Sequence, residues 1–229
     1  MIFQTDPYVM LMASLPAVGP LLTGKAPPIN RVRLDERLRQ LSAEDAKELD
    51  AMAAILSWGR LDIGDEDAAF VTRAERLMET VHAPDLRAAL NDRLELRTVI
   101  AALRRRHAGQ EAPAEGEVWG YGRYAEQIRR NWALPDFGLA RTFPWINPAR
   151  ERLEAGDPAG LERIVLQAAW DSVGRYAPGH EFDKEAVAFY VARWSLADRW
   201  SSYDPETAAI RFAELIDEAY ANAELPEAA

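Results

Sequence analysis

The chain has 229 residues, of which 48% are hydrophobic, so it is long and apolar enough to bury a sizeable core. Its 27 Lys and Arg residues against 37 Asp and Glu residues give a formal net charge of -10, which repels nucleic acid and anionic lipid. It contains no cysteine, which excludes disulfides, thiolate metal sites and cysteine nucleophiles.

The first apolar segment runs from Tyr8 to Leu15, between Pro7 and Pro16. Its periodicity fits a buried strand and a short helix equally well. The residues before it are acidic where an export signal would be basic, and the run falls short of the ~18 apolar residues that span a bilayer. We therefore expect a soluble cytoplasmic protein, in agreement with the absence of cysteine.

Apolar residues at helical spacing predict three successive helices in the first half of the chain. Ser42, followed three residues later by Asp45, is an N-cap signature for the first of them. The three arginines at 104–106 fit a solvated helix end that complements the helix dipole better than a nucleic-acid site. The predicted helices pass through residues 41–58, through 66–81, and from about Pro84 to His107.

A segment without periodicity, GQEAPAEGEVWGYG, predicts a linker over residues 109–122. It separates an N-terminal helical region, residues 1–108, from a C-terminal one, residues 123–229, and one continuous domain is the alternative. The elements together predict an all-α protein of about eight helices. Those of the C-terminal region are YAEQIRRNW, PARERLEAGD, DPAGLERIVLQAAWDSVGRYA, FDKEAVAFYVARWSLADRW and a last helix from Asp204, with an irregular aromatic segment from Ala133 to Asn147.

Catalytic and cofactor motifs are scarce. The sequence has no glycine-rich phosphate loop, no G-x-S-x-G elbow and no paired histidines at metal-ligand spacing. A metal site would need His180 with Glu181 and Asp183, and an enzymatic site would need Tyr176 with His180 and Asp183. Loops with one histidine and two acids are common without either function. We therefore expect a protein that is not an enzyme and that uses no cofactor and no metal.

The aromatic inventory is more unusual, because it includes seven tryptophans, a residue enriched at interface hot spots. Trp194 is predicted to be a core residue, and Trp200 with Arg199 and Tyr203 to close its helix against the next one. The aromatic segment from Trp119 to Asn147 is predicted to bind a protein partner, and the alternative is that it forms core. The residues predicted for this contact are Trp119, Tyr121, Tyr124, Trp132, Phe137, Phe143 and Trp145.

Residues 91–109, NDRLELRTVIAALRRRHAG, resemble a pattern in the C-type, or d-type, subunits of V-type and archaeal-type rotary ATPases. In that family an acidic residue and a leucine lead into a helix that ends in Leu-Arg, a short basic tail and a glycine. The matching residues here are Glu95, Leu96, Leu103, Arg104 and Gly109.

A closer resemblance is to a small uncharacterised bacterial family whose genes accompany V-type ATPase genes and which looks like a shortened relative of that subunit. Its members open with a Tyr-rich apolar segment that ends in Ser-Leu-Pro, as in Tyr8 to Pro16 here. They also share an ordered set of motifs toward the C-terminus. These are matched by Trp170-Asp171, Gly179-His180-Glu181-Phe182-Asp183, Tyr190, Arg199-Trp200 and Phe212 to Leu215.

This resemblance implies an all-α multi-helix bundle with pseudo-repeated helices, funnel-shaped as in the full-length subunit, which caps the membrane rotor ring and receives the tip of the central shaft. It implies a non-catalytic structural, coupling or assembly protein whose partners are the rotary ATPase shaft or rotor ring. Such a protein would be cytoplasmic and would reach the inner face of the membrane only through its complex. The alternative is an all-α adaptor or maturation chaperone for another multisubunit enzyme, docking through its aromatic segment.

Overall fold

The computed structural model describes residues 6–23, 26–56 and 67–202. Within these ranges the chain forms nine helices and no strand, which confirms the predicted all-α multi-helix bundle. The pseudo-repeat and the funnel shape stay predictions. The helices are α1 (Pro7–Ser14), α2 (Arg31–Leu38), α3 (Ala43–Leu56), α4 (Asp67–Thr80), α5 (Pro84–His107), α6 (Ala125–Arg130), α7 (Ile146–Glu154), α8 (Pro158–Tyr176) and α9 (Lys184–Ser201).

Short polar side chains start several of these helices, because an N-cap oxygen satisfies a backbone N–H that lacks a helical partner. The predicted cap of α3 is confirmed, since the Ser42 hydroxyl accepts from the Asp45 N–H at 3.1 Å. The Asp183 carboxylate caps α9 in the same way, from the Ala186 N–H at 2.7 Å. The helix predicted to start at Asp204, together with the predicted packing partner Tyr203, lies outside the described residues.

Helix α2 was not predicted, because its eight residues are too few to display a helical period. It forms because the Asn30 side chain caps its first turn, from the Arg33 N–H at 2.9 Å, and because Leu34 is buried. Leu34 packs in one cluster with Tyr190 and Trp194 of α9. Tertiary packing therefore decides a helix that the local pattern leaves undetermined.

Trp194 is the core residue that the sequence predicted. It is only 2% exposed, and its indole N–H donates to the Ile29 carbonyl at 2.7 Å. Trp200 is partly buried against the cluster around Val99, Leu103 and Leu166, which we call the main core. The neighbouring Arg199 guanidinium donates to Glu162 at 2.8 Å, which ties α9 to α8.

Helix α5 lies at the centre of the bundle, where α3, α4, α6, α7, α8 and α9 all pack against it. Eleven of its 24 residues are buried, and nine of these are apolar. Its C-terminal half belongs to the main core, through residues such as Val99 and Leu103, and its N-terminal half to a second cluster, through Leu86 and Leu90. No helix in the described part of the chain is long and apolar enough to cross a membrane.

The prediction that the arginines at the end of α5 form a solvated helix end is wrong for Arg106. Its guanidinium donates to the carbonyls of Trp132 at 3.3 Å and Pro135 at 2.6 Å, and also to that of Leu134. It also lies over the Phe137 ring, 4.3 Å from the centroid. A forked donor suits this position because irregular chain leaves carbonyls without helical partners. Arg106 therefore fixes the predicted aromatic segment on the end of α5.

Candidate functional site

A groove of about 990 Å³ lies between α5, α7, α8 and two connecting segments, which contribute Arg123 and Tyr124 on one side and residues 142–145 on the other. We call it the α5–α8 groove. Helix α8 forms its longest wall, because one face of that helix is open to the groove along most of its length. Its lining residues are Gly160, Arg163, Ile164, Gln167, Ala168, Asp171, Ser172 and Arg175, and those of α5 are Asp92, Glu95 and Leu96.

Three aromatic side chains, Tyr124, Phe143 and Trp145, form one wall of the groove. The rings of Tyr124 and Phe143 meet edge to face with centroids 5.1 Å apart, and those of Phe143 and Trp145 lie 5.5 Å apart. All three pack against the main core and are partly exposed. The wall therefore presents apolar surface that is held rigidly from behind.

Polar side chains of α5 hold the chain segment that carries Tyr124. The Thr98 hydroxyl accepts from the Tyr121 N–H and donates to the Tyr121 carbonyl, both at 2.9 Å. The Tyr121 hydroxyl donates to the Asn91 side chain at 2.9 Å. Asn91 and Thr98 are seven positions apart, so they lie on the same face of α5. That face carries the segment from 121 to 124 along the helix.

Glu95 lies between these two residues on α5, and its side chain is 5% exposed. One carboxylate oxygen pairs with the Arg123 guanidinium at 3.2 Å. Burial raises the pKa of the Glu95 carboxyl, and the nearby Arg123 opposes that shift. The chain passes so closely that a Cβ on Gly122, whose φ is +94°, would lie 2.6 Å from the Glu95 Cγ. Position 122 therefore requires glycine for both its conformation and its contact.

Asp92, which lines the groove, joins α5 to α8. Its Oδ2 accepts from the Arg175 guanidinium at 2.6 Å, from the Ser172 hydroxyl at 3.0 Å and from the Tyr176 hydroxyl at 3.0 Å. The hydrogen bond to Asp92 raises the pKa of Arg175, and burial together with that carboxylate raises the pKa of Tyr176. The network fixes the relative position of the two helices that form the groove.

The charged side chains of the groove are unevenly paired. Arg175 pairs with Asp92, Arg123 with Glu95, and Arg152 with Asp157 at 3.2 Å. In contrast, Arg163 is exposed and has no ion-pair partner in the part of the chain that the structure describes. Asp171 accepts a hydrogen bond from neutral Gln167 at 2.7 Å and pairs with no cation among the described residues. Arg163 and Asp171 are therefore one positive and one negative charge of α8 that form no ion pair within the described residues.

Of the seven aromatic residues predicted to bind a partner, three line the groove: Tyr124, Phe143 and Trp145. Trp119 and Phe137 are buried in the main core, 4% and 0% exposed. The other two, Trp132 and Tyr121, are partly buried and do not line the groove. The Trp132 ring meets that of Trp119 edge to face, with centroids 6.5 Å apart. The Tyr121 backbone bonds to Thr98 of α5. The structure thus brings together three of the predicted residues, whose role in binding stays a prediction.

His180, which the sequence offered for a metal or an enzymatic site, bonds to carboxylates through both of its ring nitrogens. His180 Nδ1 lies 2.8 Å from Asp183 and Nε2 lies 3.2 Å from Asp85, so both ring nitrogens face carboxylates. These hydrogen bonds, that to Asp183 first, raise the pKa of His180. His180 therefore links the start of α9 to the first turn of α5.

The ligand sets that the sequence suggested are brought together only in part. His180, Asp183 and Glu185 place ligand atoms within 4.8 Å of one another, whereas Glu181 is exposed. The hydroxyl of Tyr176 bonds to Asp92 of the groove. The pairing of His180 with Asp183 is therefore found, and Tyr176 belongs to the α5–α8 groove.

Sequence reasoning missed the charged residues of the groove, including Asp92, Arg163 and Arg175. Arg163, Asp171 and Arg175 recur at multiples of four positions along α8, which is the pattern of an ordinary solvated helix face. Glu95 and Thr98 carried a detectable signal, because they are polar residues inside the otherwise apolar face of a central helix.

No known protein family, curated protein or solved structure matches this chain. Evidence on function therefore comes from the geometry of the groove and from the sequence motifs.

Proposed function

We propose that the protein is a non-catalytic coupling or assembly protein of a V-type ATPase-like complex and that it contacts a partner subunit through the α5–α8 groove. The observation that supports this most strongly is the groove itself, where Tyr124, Phe143 and Trp145 stand beside four arginines. Tyrosine, tryptophan and arginine dominate the binding energy of protein interfaces. A rigid wall of such residues is suited to contact with another protein.

The arrangement of polar groups supports the same function. The ion pairs Arg175–Asp92, Arg123–Glu95 and Arg152–Asp157 lie around the aromatic wall and hold their side chains in place. Protein interfaces combine an apolar centre with a polar rim in this way. Binding here would cost this protein less side-chain entropy than binding at unpaired charges, because these arginines already contact carboxylates.

The assignment to a rotary ATPase is supported by the sequence resemblance. Glu95, Leu96 and Asp171 belong to the motifs that carry this resemblance, and all three line the groove. Three of the motif residues, from two distant parts of the chain, thus line one surface. This is the pattern expected if that surface performs the shared function.

The test is affinity purification of the tagged full-length protein at native abundance. Wild type should recover rotary ATPase subunits, and Trp145→Ala should lose them because the aromatic wall is broken. Trp132→Ala is the matched control, since it also removes a tryptophan that packs against the main core but does not line the groove. Circular dichroism establishes that both variants are folded.

Two results would contradict the proposal separately. Reproducible recovery of another complex without any ATPase subunit would overturn the assignment to a rotary ATPase and favour the adaptor alternative. Recovery of the ATPase subunits by Trp145→Ala at the wild-type level would show that the groove is not the contact surface.

A further inference from the structure

The dimensions of the α5–α8 groove indicate the kind of segment that fits it. The face of α8 that lines the groove runs from Gly160 to Arg175, which corresponds to about 22 Å of helix. A second helix of that length has about four turns. The groove has a volume of about 990 Å³. We propose, on the basis of the proposed function, that the groove receives one amphipathic helix of the partner subunit, about four turns long, alongside α8.

The chemistry of the groove favours a helix over an extended peptide. An extended segment gains its affinity from hydrogen bonds to the edge of a sheet, and the described residues contain no strand that offers such an edge. A helix satisfies its own backbone and needs only an apolar surface for one face. Ile164 and Ala168 of α8, together with Phe143 and Trp145, provide that surface.

The charges of Arg163 and Asp171 determine which helix fits the groove. Arg163 and Asp171 are eight positions apart on α8, which separates them by about 12 Å along the helix axis. The occupant therefore carries a carboxylate that faces Arg163 and a cationic side chain that faces Asp171, two turns apart on one side of its apolar face. Complementary charges of this kind determine the direction in which a helix lies.

Charge reversals test this complementarity with the partner that wild type recovers. Arg163→Glu and Asp171→Lys should each weaken binding about tenfold at low salt, because each places like charges in contact. The difference from wild type should shrink at high salt as exposed charges are screened. Arg76→Glu is the matched control, since it makes the same charge change at an exposed position of α4 that does not line the groove. It should change binding by less than about twofold.

A photo-cross-link identifies the occupant directly, with benzoylphenylalanine replacing Gln167 in the full chain. An adduct to a partner peptide that carries an acidic and a basic residue two helical turns apart supports the inference. An adduct to residues 203–229 of the same chain, to a second copy, or to a partner segment without that charge pattern overturns it.

The outcomes distinguish this inference from the proposed function. If Trp145→Ala abolishes recovery of the partner but both charge reversals behave like Arg76→Glu, the helix inference is overturned and the contact through the groove stands. If wild type recovers no partner, the proposed function fails, and the inference fails with it.

Discussion

The hydroxyl of Thr98 provides a sharp test of how the groove is built, because it holds the segment that carries Tyr124. Thr98→Val removes the hydroxyl and keeps the branched shape and a similar helix propensity. The Tyr121 N–H then loses its acceptor and the Tyr121 carbonyl loses its donor, each now at 2.9 Å from the Thr98 oxygen. Thr98 itself is 3% exposed, so a replacement water has little room to enter.

The expected cost follows from these two contacts. A buried polar group left without a partner costs about 1–3 kcal/mol, and a part-buried one falls in the lower half of that range. We therefore expect Thr98→Val to lower the free energy of unfolding by about 2 kcal/mol. Urea unfolding should show a lower midpoint at an unchanged slope.

Thr72→Val is the matched control for this substitution. Thr72 is an exposed residue of α4 whose hydroxyl donates to the Ala68 carbonyl of its own helix, at 2.9 Å. Its replacement should change the free energy of unfolding by less than about 0.5 kcal/mol. If Thr98→Val and Thr72→Val shifted the midpoint equally, the hydroxyl of Thr98 would not anchor the segment and the reasoning would be refuted.

Three further predictions concern backbone conformation, burial and pH. Gly122→Ala should destabilise the fold by more than the ~1 kcal/mol expected from positive φ alone, because the new Cβ meets the Glu95 side chain. Gly179→Ala is the control, since φ there is +98° and no described atom lies within 4 Å of the new Cβ, so only the backbone strain should appear. Equal losses of stability in urea unfolding would contradict the close contact at position 122. Phe137→Ala should cost about 3–5 kcal/mol, because the ring is wholly buried, and a loss below about 1 kcal/mol would contradict its place in the core. Carboxylate contacts raise the pKa of His180, so the contribution of His180 to stability is full below about pH 6.5 and is lost as the pH rises through the raised pKa. The melting temperatures of wild type and His180→Gln should therefore converge as the pH rises. A difference that stays constant with pH would contradict the contacts of His180 with Asp183 and Asp85.

Most helices were predictable because their own sequence contains both the apolar period and the signals that end them. Helix α5 has Pro84 in its first turn, a long apolar pattern and Gly109 just beyond its end, and its predicted bounds are confirmed. Helix α2 has no such length, and its fold depends on burial of Leu34 against a helix more than 150 positions away. Local pattern cannot indicate a contact of that separation.

The groove was predictable only in part, for the same reason. Aromatic enrichment singled out Tyr124, Phe143 and Trp145, since the property that identified them belongs to each residue. The network around Asp92 joins residues that are 80 or more positions apart, and only the packing of α5 on α8 brings them together. Arg106 was wrongly predicted for a related reason. A cation at a helix end is typically solvated, but here it donates hydrogen bonds to carbonyls of an irregular segment that lies more than 25 positions further along the chain.

Hydrogen–deuterium exchange of the complex with the recovered partner tests the central claim most directly. If the partner binds in the α5–α8 groove, exchange should slow in peptides that cover residues 142–148 and in α8, and should be unchanged in α4, which does not line the groove. Slower exchange elsewhere on the protein, with the 142–148 segment and α8 unchanged, would contradict the claim that this groove is the contact surface.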